Sequence, residues 1–248
     1  MIARTTWSVT SPWRNSPAGE AFSSLEKVFA LSGEAISSDG ESVIFRHEID
    51  GQRFYVKQYH RTKGLRSWVG KARIRLEAKN QLWFNQIGLP AAQVVAYGEQ
   101  HLWGRTFCGA LVTASLDNTE DLSRVAQQQP QWFQNRTWVN SLISQVAAIA
   151  RTLHQHNFCH NDLKWRNILI SQDTEKPQVY LIDCPLGQRW APPLLNRRMV
   201  KDLACLDKLA RTVLSRTARL RFFKQYREAA KLTPHDKAMI RQTLDYFR

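Results

Sequence analysis

Four polar residues at fixed offsets stand directly before a short apolar run in the second half of the chain. The segment HNDLKWRNILI, residues 160–170, places His160, Asp162, Lys164 and Asn167 ahead of Ile-Leu-Ile. A carboxylate can orient the proton of a reacting hydroxyl, an ammonium group can neutralise a phosphoryl group, and an amide oxygen can ligate Mg²⁺. The pattern is therefore typical of one half of a phosphoryl-transfer site.

Such a site also needs a cation for the nucleotide phosphates and a second metal ligand. Lys57 lies in a strand-like run, Glu77 follows in a helix-like segment, and Asp183 closes the apolar run VYLID. Each residue taken alone has an ordinary alternative: a solvated strand lysine, a helix charge pairing with Arg73, and a turn opener. Their order along the chain, together with the polar loop, favours the functional interpretation.

The elements that must position these residues can be predicted from the hydrophobic pattern. SVIFRHEIDGQRFYVKQYH predicts two antiparallel strands joined at Asp50-Gly51, with Lys57 near the end of the second strand. GLRSWVGKARIRLEAKNQLWFNQIGLP predicts a helix that carries Glu77 and ends at Gly88. AAQVVAYGE and FCGALVTASL predict further strands, so this half of the chain is a small sheet with one inserted helix.

The pattern becomes mainly helical after Asp117. TWVNSLISQVAAIARTLHQHN predicts a long helix directly before the polar loop, and NILIS and VYLIDCP predict two short strands after it. Three helices are predicted from Arg197 onward, the last opened by the capping sequence Thr233-Pro234-His235-Asp236. We expect an α+β protein of three parts: an N-terminal extension (1–35), a β-rich lobe (36–116) and an α-rich lobe (117–248).

Composition and charge restrict the class of protein. At 248 residues and 43% hydrophobic the chain can bury a full core, which argues against disorder. The formal net charge of +14 favours anionic partners without choosing among them. The four cysteines form no CxxC pair, and no apolar run approaches the length of a membrane span. We therefore expect a cytoplasmic protein, with peripheral membrane contact left open.

The strand Lys, helix Glu, H-x-D-x-x-x-x-N loop and later Asp resemble the protein-kinase-like fold over about residues 40–210. Within that fold, HNDLKWRNILI, LIDCPLG and the basic charge look most like the bacterial lipopolysaccharide core kinases, the Kdo/heptose kinase and InaA-like group. The resemblance implies two lobes: a small N-terminal antiparallel sheet plus one helix, and a mainly helical C-terminal lobe. It also implies an ATP- and Mg²⁺-dependent enzyme that phosphorylates a Kdo or heptose hydroxyl of the lipopolysaccharide inner core.

The resemblance assigns roles to the loop residues position by position. Asp162 would accept or orient the proton of the acceptor hydroxyl, and Lys164 would neutralise the moving phosphoryl group. Asn167 and Asp183 would coordinate Mg²⁺, which prefers oxygen ligands. The Asp-Phe-Gly pattern of the protein-kinase-like fold is replaced here by Asp183-Cys184-Pro185, so the usual Phe-based switch is in doubt.

The remaining roles concern nucleotide binding and support. Lys57 would bind the α and β phosphates and be held by Glu77. His160 would be structural, and Asp202 would accept backbone N–H groups of the loop.

The glycine-rich motif G-x-G-x-x-G of the protein-kinase-like fold is absent ahead of Lys57. The phosphate-covering loop must be formed instead from small residues of SSDGES, among them Ser38 and Gly40.

The expected partner is a phosphorylated lipopolysaccharide core or lipid A acceptor. Basic clusters within 61–75 and 216–227 also favour peripheral contact with the anionic inner membrane. Nucleic acid is not favoured, and the oligomeric state stays open. Two alternatives remain: an RNA-associated atypical kinase or ATPase of the Bud32/RIO-like sort, and a pseudokinase-like binding module. An aminoglycoside phosphotransferase is disfavoured because its cationic substrates prefer acidic clefts.

Overall fold

The structure is a computed structural model that describes residues 3–31, 33–38, 40, 42–60, 73–102 and 105–247. The chain divides into two compact units, Met1–Leu116 and Asp117–Arg248. Part of the predicted segment GLRSWVGKARIRLEAKNQLWFNQIGLP, and most of the basic cluster within 61–75, lie outside the described residues.

The first unit is built on one antiparallel sheet. Its described strands are β1 (Ala3–Val9), β2 (Glu34–Ser38), β3 (Ser42–Ile49), β4 (Gln52–Tyr59), β5 (Val94–Leu102) and β6 (Arg105–Ala114). Its described helices are α1 (Pro17–Ala21), α2 (Leu25–Ala30) and α3 (Arg73–Gln86). The six strands are arranged in the order β1-β5-β6-β4-β3-β2. The sequence assigned residues 1–35 to an N-terminal extension. In the structure, this segment supplies the edge strand β1 and the helices α1 and α2 to the first unit.

The predicted hairpin is confirmed as β3 and β4. Asp50 and Gly51 have φ values of 52° and 72°, the left-handed conformations that a two-residue type I′ turn requires. The resulting register pairs Ile44 with Lys57. Asp-Gly is thus a local signal that sets the position of the lysine along its strand.

Strand alternation decides which way Lys57 faces. Phe54 and Val56 are fully buried in a core cluster that includes Phe22 of the N-terminal segment. Tyr59 instead belongs to a second cluster with Ile74 of α3. Because successive side chains of a strand point to opposite faces, Lys57 shares the face of Tyr59 and is directed towards α3.

The second unit is mainly helical. Its described helices are α4 (Leu122–Gln128), α5 (Arg136–Gln155), α6 (Leu194–Val213), α7 (Arg216–Arg227) and α8 (Pro234–Asp245). Its described strands are β7 (Thr119–Asp121), β8 (Phe158–Cys159), β9 (Ile168–Ser171), β10 (Val179–Leu181) and β11 (Gln188–Arg189). They form two small sheets, β10-β9-β7 and β11-β8. The predicted long helix, two short strands and three C-terminal helices are confirmed as α5, β9, β10 and α6–α8.

The helix boundaries follow from local capping. The Asn135 side chain accepts the N–H groups of Thr137 and Trp138 at the start of α5. Thr233 and Asp236 form a reciprocal capping box at the start of α8, as the sequence predicted. Among the described residues, no helix combines the length and hydrophobicity that crossing a membrane would need.

Candidate active site

A buried ion pair joins Lys57 of β4 to Glu77 of α3 in the first unit. Lys57 Nζ lies 2.9 Å from Oε1 and 3.0 Å from Oε2 of the carboxylate, and the two side chains are only 12% and 6% exposed. The Tyr59 hydroxyl donates a hydrogen bond to the same carboxylate. Glu77 therefore holds the ammonium group in one position, because a buried charge is costly to leave without its partner.

Tyr59 is a site residue that was not predicted from the sequence. The available signal was its position two residues after Lys57, which places both side chains on one face of the strand. Ser38 and Gly40 are both exposed, and a Cβ added at Gly40 would meet no atom within 4 Å. Residues 39 and 41 lie outside the described part of the chain, so a phosphate-covering role for this segment stays a prediction.

In the second unit the polar loop is fastened to α6 by Asp202. This side chain is fully buried. Its Oδ2 accepts the backbone N–H of His160 at 2.7 Å, and its Oδ1 accepts the backbone N–H of Asn161 at 2.8 Å. His154 Nε2 lies 3.4 Å from the same carboxylate. One buried carboxylate thus fixes two consecutive peptide groups directly before Asp162.

His160 fills the space beneath the loop. It is fully buried, and within the described residues neither ring nitrogen has a hydrogen-bond partner. Burial lowers the pKa of this imidazole, against the carboxylates of Asp202, Asp162 and Asp183, which favour its charged form. The Ile182 carbonyl also favours that form, although its geometry falls short of a hydrogen bond. The structure therefore places His160 close to all three acidic groups.

Asp162 carries two cationic neighbours. Lys164 Nζ lies 2.6 Å from its Oδ1, and the Arg166 guanidinium lies 3.2 Å from its Oδ2. Burial raises the pKa of this carboxyl, but the hydrogen bonds and charges of Lys164 and Arg166 together outweigh burial and lower the pKa overall. Asp162 is therefore a carboxylate at neutral pH. Arg166 was not among the residues predicted from the sequence.

The geometry at Asn167 fits a metal ligand. Its side-chain nitrogen donates to the main-chain oxygen of Asp162 at 2.8 Å, which orients the amide oxygen away from this contact. The main-chain carbonyl of Asn167 accepts the N–H of Ile182 at 3.0 Å. This hydrogen bond ties the residue before Asp183 to the loop. Asp183 has a φ of 56°, a conformation that Asp tolerates better than most residues. An amide oxygen and a carboxylate are both ligand types that Mg²⁺ prefers, so Asn167 and Asp183 are the residues that could hold this ion.

The segment after Asp183 is fastened back to the loop. Asn161, with a φ of 63°, donates from its side-chain nitrogen to the Leu186 carbonyl at 2.8 Å. A Cβ at Gly187 would lie 2.4 Å from both Cys184 Sγ and Phe158 Cζ, so only glycine permits this close approach. The contact of Asn161 with residue 186 had no local signal in the sequence.

A buried cluster of His154, Cys159 and Asp202 lies behind the loop, with potential ligand atoms within 4.8 Å of one another. His154 Nδ1 is 2.8 Å from the Tyr226 hydroxyl. Burial, followed by the charge of Asp202, raises the pKa of the Cys159 thiol to about 12. Asp202 binds the loop backbone, and His154 contacts both Asp202 and Tyr226. We therefore interpret the cluster as structural support for the loop.

The arrangement within each unit matches a known architecture. A solved structure described as "WaaP in complex with acyl carrier protein" aligns with a TM-score of 0.67 and 23% identity, covering 98% of this chain and 100% of that chain. The fold and the charged loop therefore define an α+β protein of the protein-kinase-like class.

The model of the lipopolysaccharide kinase (Kdo/WaaP) family matches residues 32–230. The chain belongs to this family. The sequence is also similar to 3-deoxy-D-manno-octulosonic acid kinases. The Haemophilus influenzae (strain 86-028NP) protein is 29% identical over 118 residues, 45% of this chain and 46% of that protein. The Pasteurella multocida (strain Pm70) protein is 35% identical over 92 residues, 35% of each chain. The matched stretches thus span less than half of these relatives.

Proposed function

We propose that the chain is an ATP-dependent kinase that transfers the γ-phosphoryl group to a sugar hydroxyl of the lipopolysaccharide inner core, on Kdo or heptose. The observation that carries this proposal is the Asp162 carboxylate, which contacts Lys164 Nζ and the side-chain nitrogen of Asn167 in a chain of the Kdo/WaaP family. The proposal includes a cytoplasmic location, where ATP is present. Family membership disfavours the RNA-associated and pseudokinase-like alternatives.

In the proposed reaction Asp162 accepts a hydrogen bond from the acceptor hydroxyl and orients its oxygen towards the γ-phosphorus. Its lowered pKa keeps it ionised, so it acts first as an acceptor that positions the nucleophile. Lys164 is 45% exposed and pairs with Asp162 through a flexible stem. This ammonium group can follow the transferring phosphoryl oxygens and neutralise their charge.

Asn167 and Asp183 would hold Mg²⁺ through their side-chain oxygens, and the bound ion would neutralise charge on the nucleotide phosphates. Lys57 would contact the α and β phosphates. Its pairing with Glu77, supported by Tyr59, fixes the ammonium group before nucleotide arrives. A preformed cation costs little reorganisation during the reaction, which is why such groups contribute strongly to rate.

The test is phosphate transfer from labelled ATP to dephosphorylated core oligosaccharides that contain Kdo, heptose or both. We expect label in the sugar, and Asp162→Asn should lower kcat by about 10²–10⁴-fold, the usual contribution of a positioned base. Asp173→Asn is the matched control, because Asp173 is an exposed turn residue that caps Glu175 and Lys176. Absence of transfer to every acceptor would refute the proposed activity. Full activity of Asp162→Asn would refute the assigned base.

We further propose that the second unit binds the acyl chain of an acyl carrier protein, the partner present in the similar WaaP structure. An apolar cavity of about 550 Å³ lies in this unit, lined by residues such as Leu142, Leu203 and Phe223. Its charged lining residues are Arg211, Arg216, Arg219 and Asp207, so the cationic groups outnumber the acidic one. An apolar interior with cationic groups suits a chain that ends in a polar or anionic carrier.

This partner proposal has a direct test. Acyl carrier protein loaded with a long acyl chain should bind the wild type more tightly than the same carrier without the chain. Leu203→Trp places a larger side chain in the cavity lining and should remove this preference. Equal affinity of the wild type for both carrier forms would refute acyl-chain binding.

A further inference from the structure

Arg166 is an exposed cation on a rigid segment of the candidate active site. It lies in the 3₁₀ turn Trp165–Asn167, whose two outer residues are buried. The Trp165 indole donates to the Leu206 carbonyl at 2.9 Å and stacks on Phe133. Asn167 is anchored to Asp162. Because both neighbours are fixed, the backbone of Arg166 is fixed too, while its side chain is 61% exposed.

The contact between Arg166 and Asp162 is weak compared with another Arg–Asp pair of the same unit. Arg219 binds Asp207 through Nε at 2.7 Å and through a terminal nitrogen at 3.0 Å, with a side chain only 21% exposed. Arg166 reaches Asp162 through a single nitrogen at 3.2 Å. An exposed single contact of this kind contributes little to stability. Within the described residues, the other guanidinium donors of Arg166 make no hydrogen bond and are open to a ligand.

The charge around Asp162 favours an anionic acceptor. Asp162 has one negative charge and two cationic neighbours, Lys164 and Arg166. In the proposed reaction Lys164 follows the transferring phosphoryl group, and Asp183 belongs to the metal site. Of the two cations that contact Asp162 in the described part of the chain, Arg166 then remains to bind the acceptor. A guanidinium is planar and binds carboxylate or phosphate oxygens in pairs.

We propose that Arg166 binds an oxyanion of the acceptor sugar, next to the hydroxyl that Asp162 orients, and so selects acidic acceptors. This inference rests on the proposed sugar kinase function. The oxyanion we expect is the carboxylate of an octulosonic acid, because the similar kinases are named for an acid. A phosphate on a neighbouring sugar has the same chemistry and is separated by experiment.

The test compares kcat/KM for a Kdo-containing acceptor and for its carboxylate methyl ester. We expect the wild type to prefer the acid by about ten- to a hundredfold, the range of a charge-assisted hydrogen bond. Arg166→Gln should bring this ratio close to one. Arg166→Lys should give an intermediate ratio, since it keeps the charge and loses the planar fork. A second comparison, of acceptors with and without phosphate, tests the other source of the oxyanion.

The matched control is Arg241→Gln, which removes one exposed arginine from α8 and should leave both ratios unchanged. If Arg166→Gln lowers activity on the acid and the ester equally and retains the phosphate preference, Arg166 acts only on Asp162 and the proposal is overturned. If the wild type phosphorylates no acceptor, the proposed function fails instead. Calorimetric titration of acid and ester then decides the role of Arg166, and equal affinities would overturn it.

Discussion

Replacing Asp202 by Asn should loosen the polar loop while leaving the packing of α6 nearly unchanged. The two side chains have the same shape, but Asn has one acceptor oxygen and one donor nitrogen. Asp202 accepts two backbone N–H groups, from His160 at 2.7 Å and Asn161 at 2.8 Å. The variant can satisfy only one of them, and the other N–H then faces a donor.

The magnitude follows from these two bonds. One charge-assisted hydrogen bond is lost and the second becomes neutral, so the free energy of unfolding should fall by about 2–4 kcal/mol. The cost is at the upper part of the range for single substitutions because Asp202 is fully buried and water cannot replace the lost acceptor. Activity should fall as well, since residues 160 and 161 directly precede Asp162.

The assay combines urea denaturation with hydrogen exchange of the His160 and Asn161 amides. In Asp202→Asn these amides should exchange faster than the rest of the second unit. Asp207→Asn is the control, because it also removes a paired carboxylate from α6 but contacts Arg219 of α7. It should lower stability without selective exposure of the loop amides. Wild-type exchange at both loop amides in Asp202→Asn would show that the loop does not depend on this carboxylate.

Three further predictions concern other contacts. If Lys57 binds the nucleotide phosphates as proposed, Lys57→Met should lower kcat/KM by about 10²–10³-fold through loss of a fixed cation; unchanged kinetics would exclude that role. Gly187→Ala should lower the free energy of unfolding by about 1–3 kcal/mol through overpacking, whereas Gly40→Ala, where the new methyl group meets no atom within 4 Å, should change it little. Thr233→Ala should cost about 1 kcal/mol at neutral pH. Hydrogen bonds from Thr233 lower the pKa of Asp236, so the stabilisation by this carboxyl is complete above about pH 4 and is lost as the pH falls through the lowered folded value. Urea denaturation of wild type and Thr233→Ala, at neutral pH and at a pH below the lowered pKa of Asp236, measures this effect. The difference in the free energy of unfolding should be smaller at the lower pH, and an equal difference at both would contradict the prediction.

Much of the architecture could be predicted because its signals are local. Asp50-Gly51 specifies a two-residue turn, and this turn sets the register that positions Lys57. Thr233 and Asp236 specify the start of a helix within four residues of sequence. The extension at 1–35 shows the limit of such signals. The sequence predicted only an N-terminal extension there, because the pairing of β1 is with β5, which lies about 90 residues away.

Residue types and their order along the chain were enough to predict the polar loop, its place after Lys57 and Glu77, and the resemblance that these residues carry. The resemblance assigned Asp202 to the loop backbone, but the two N–H groups that it accepts, and the contact of Tyr59 with the Glu77 carboxylate, could be found only in the folded chain. The difference comes from the range of the interactions. Turns, caps and periodicity depend on atoms a few residues apart, whereas the contact of residue 160 with residue 202 exists only after α6 packs beside the loop.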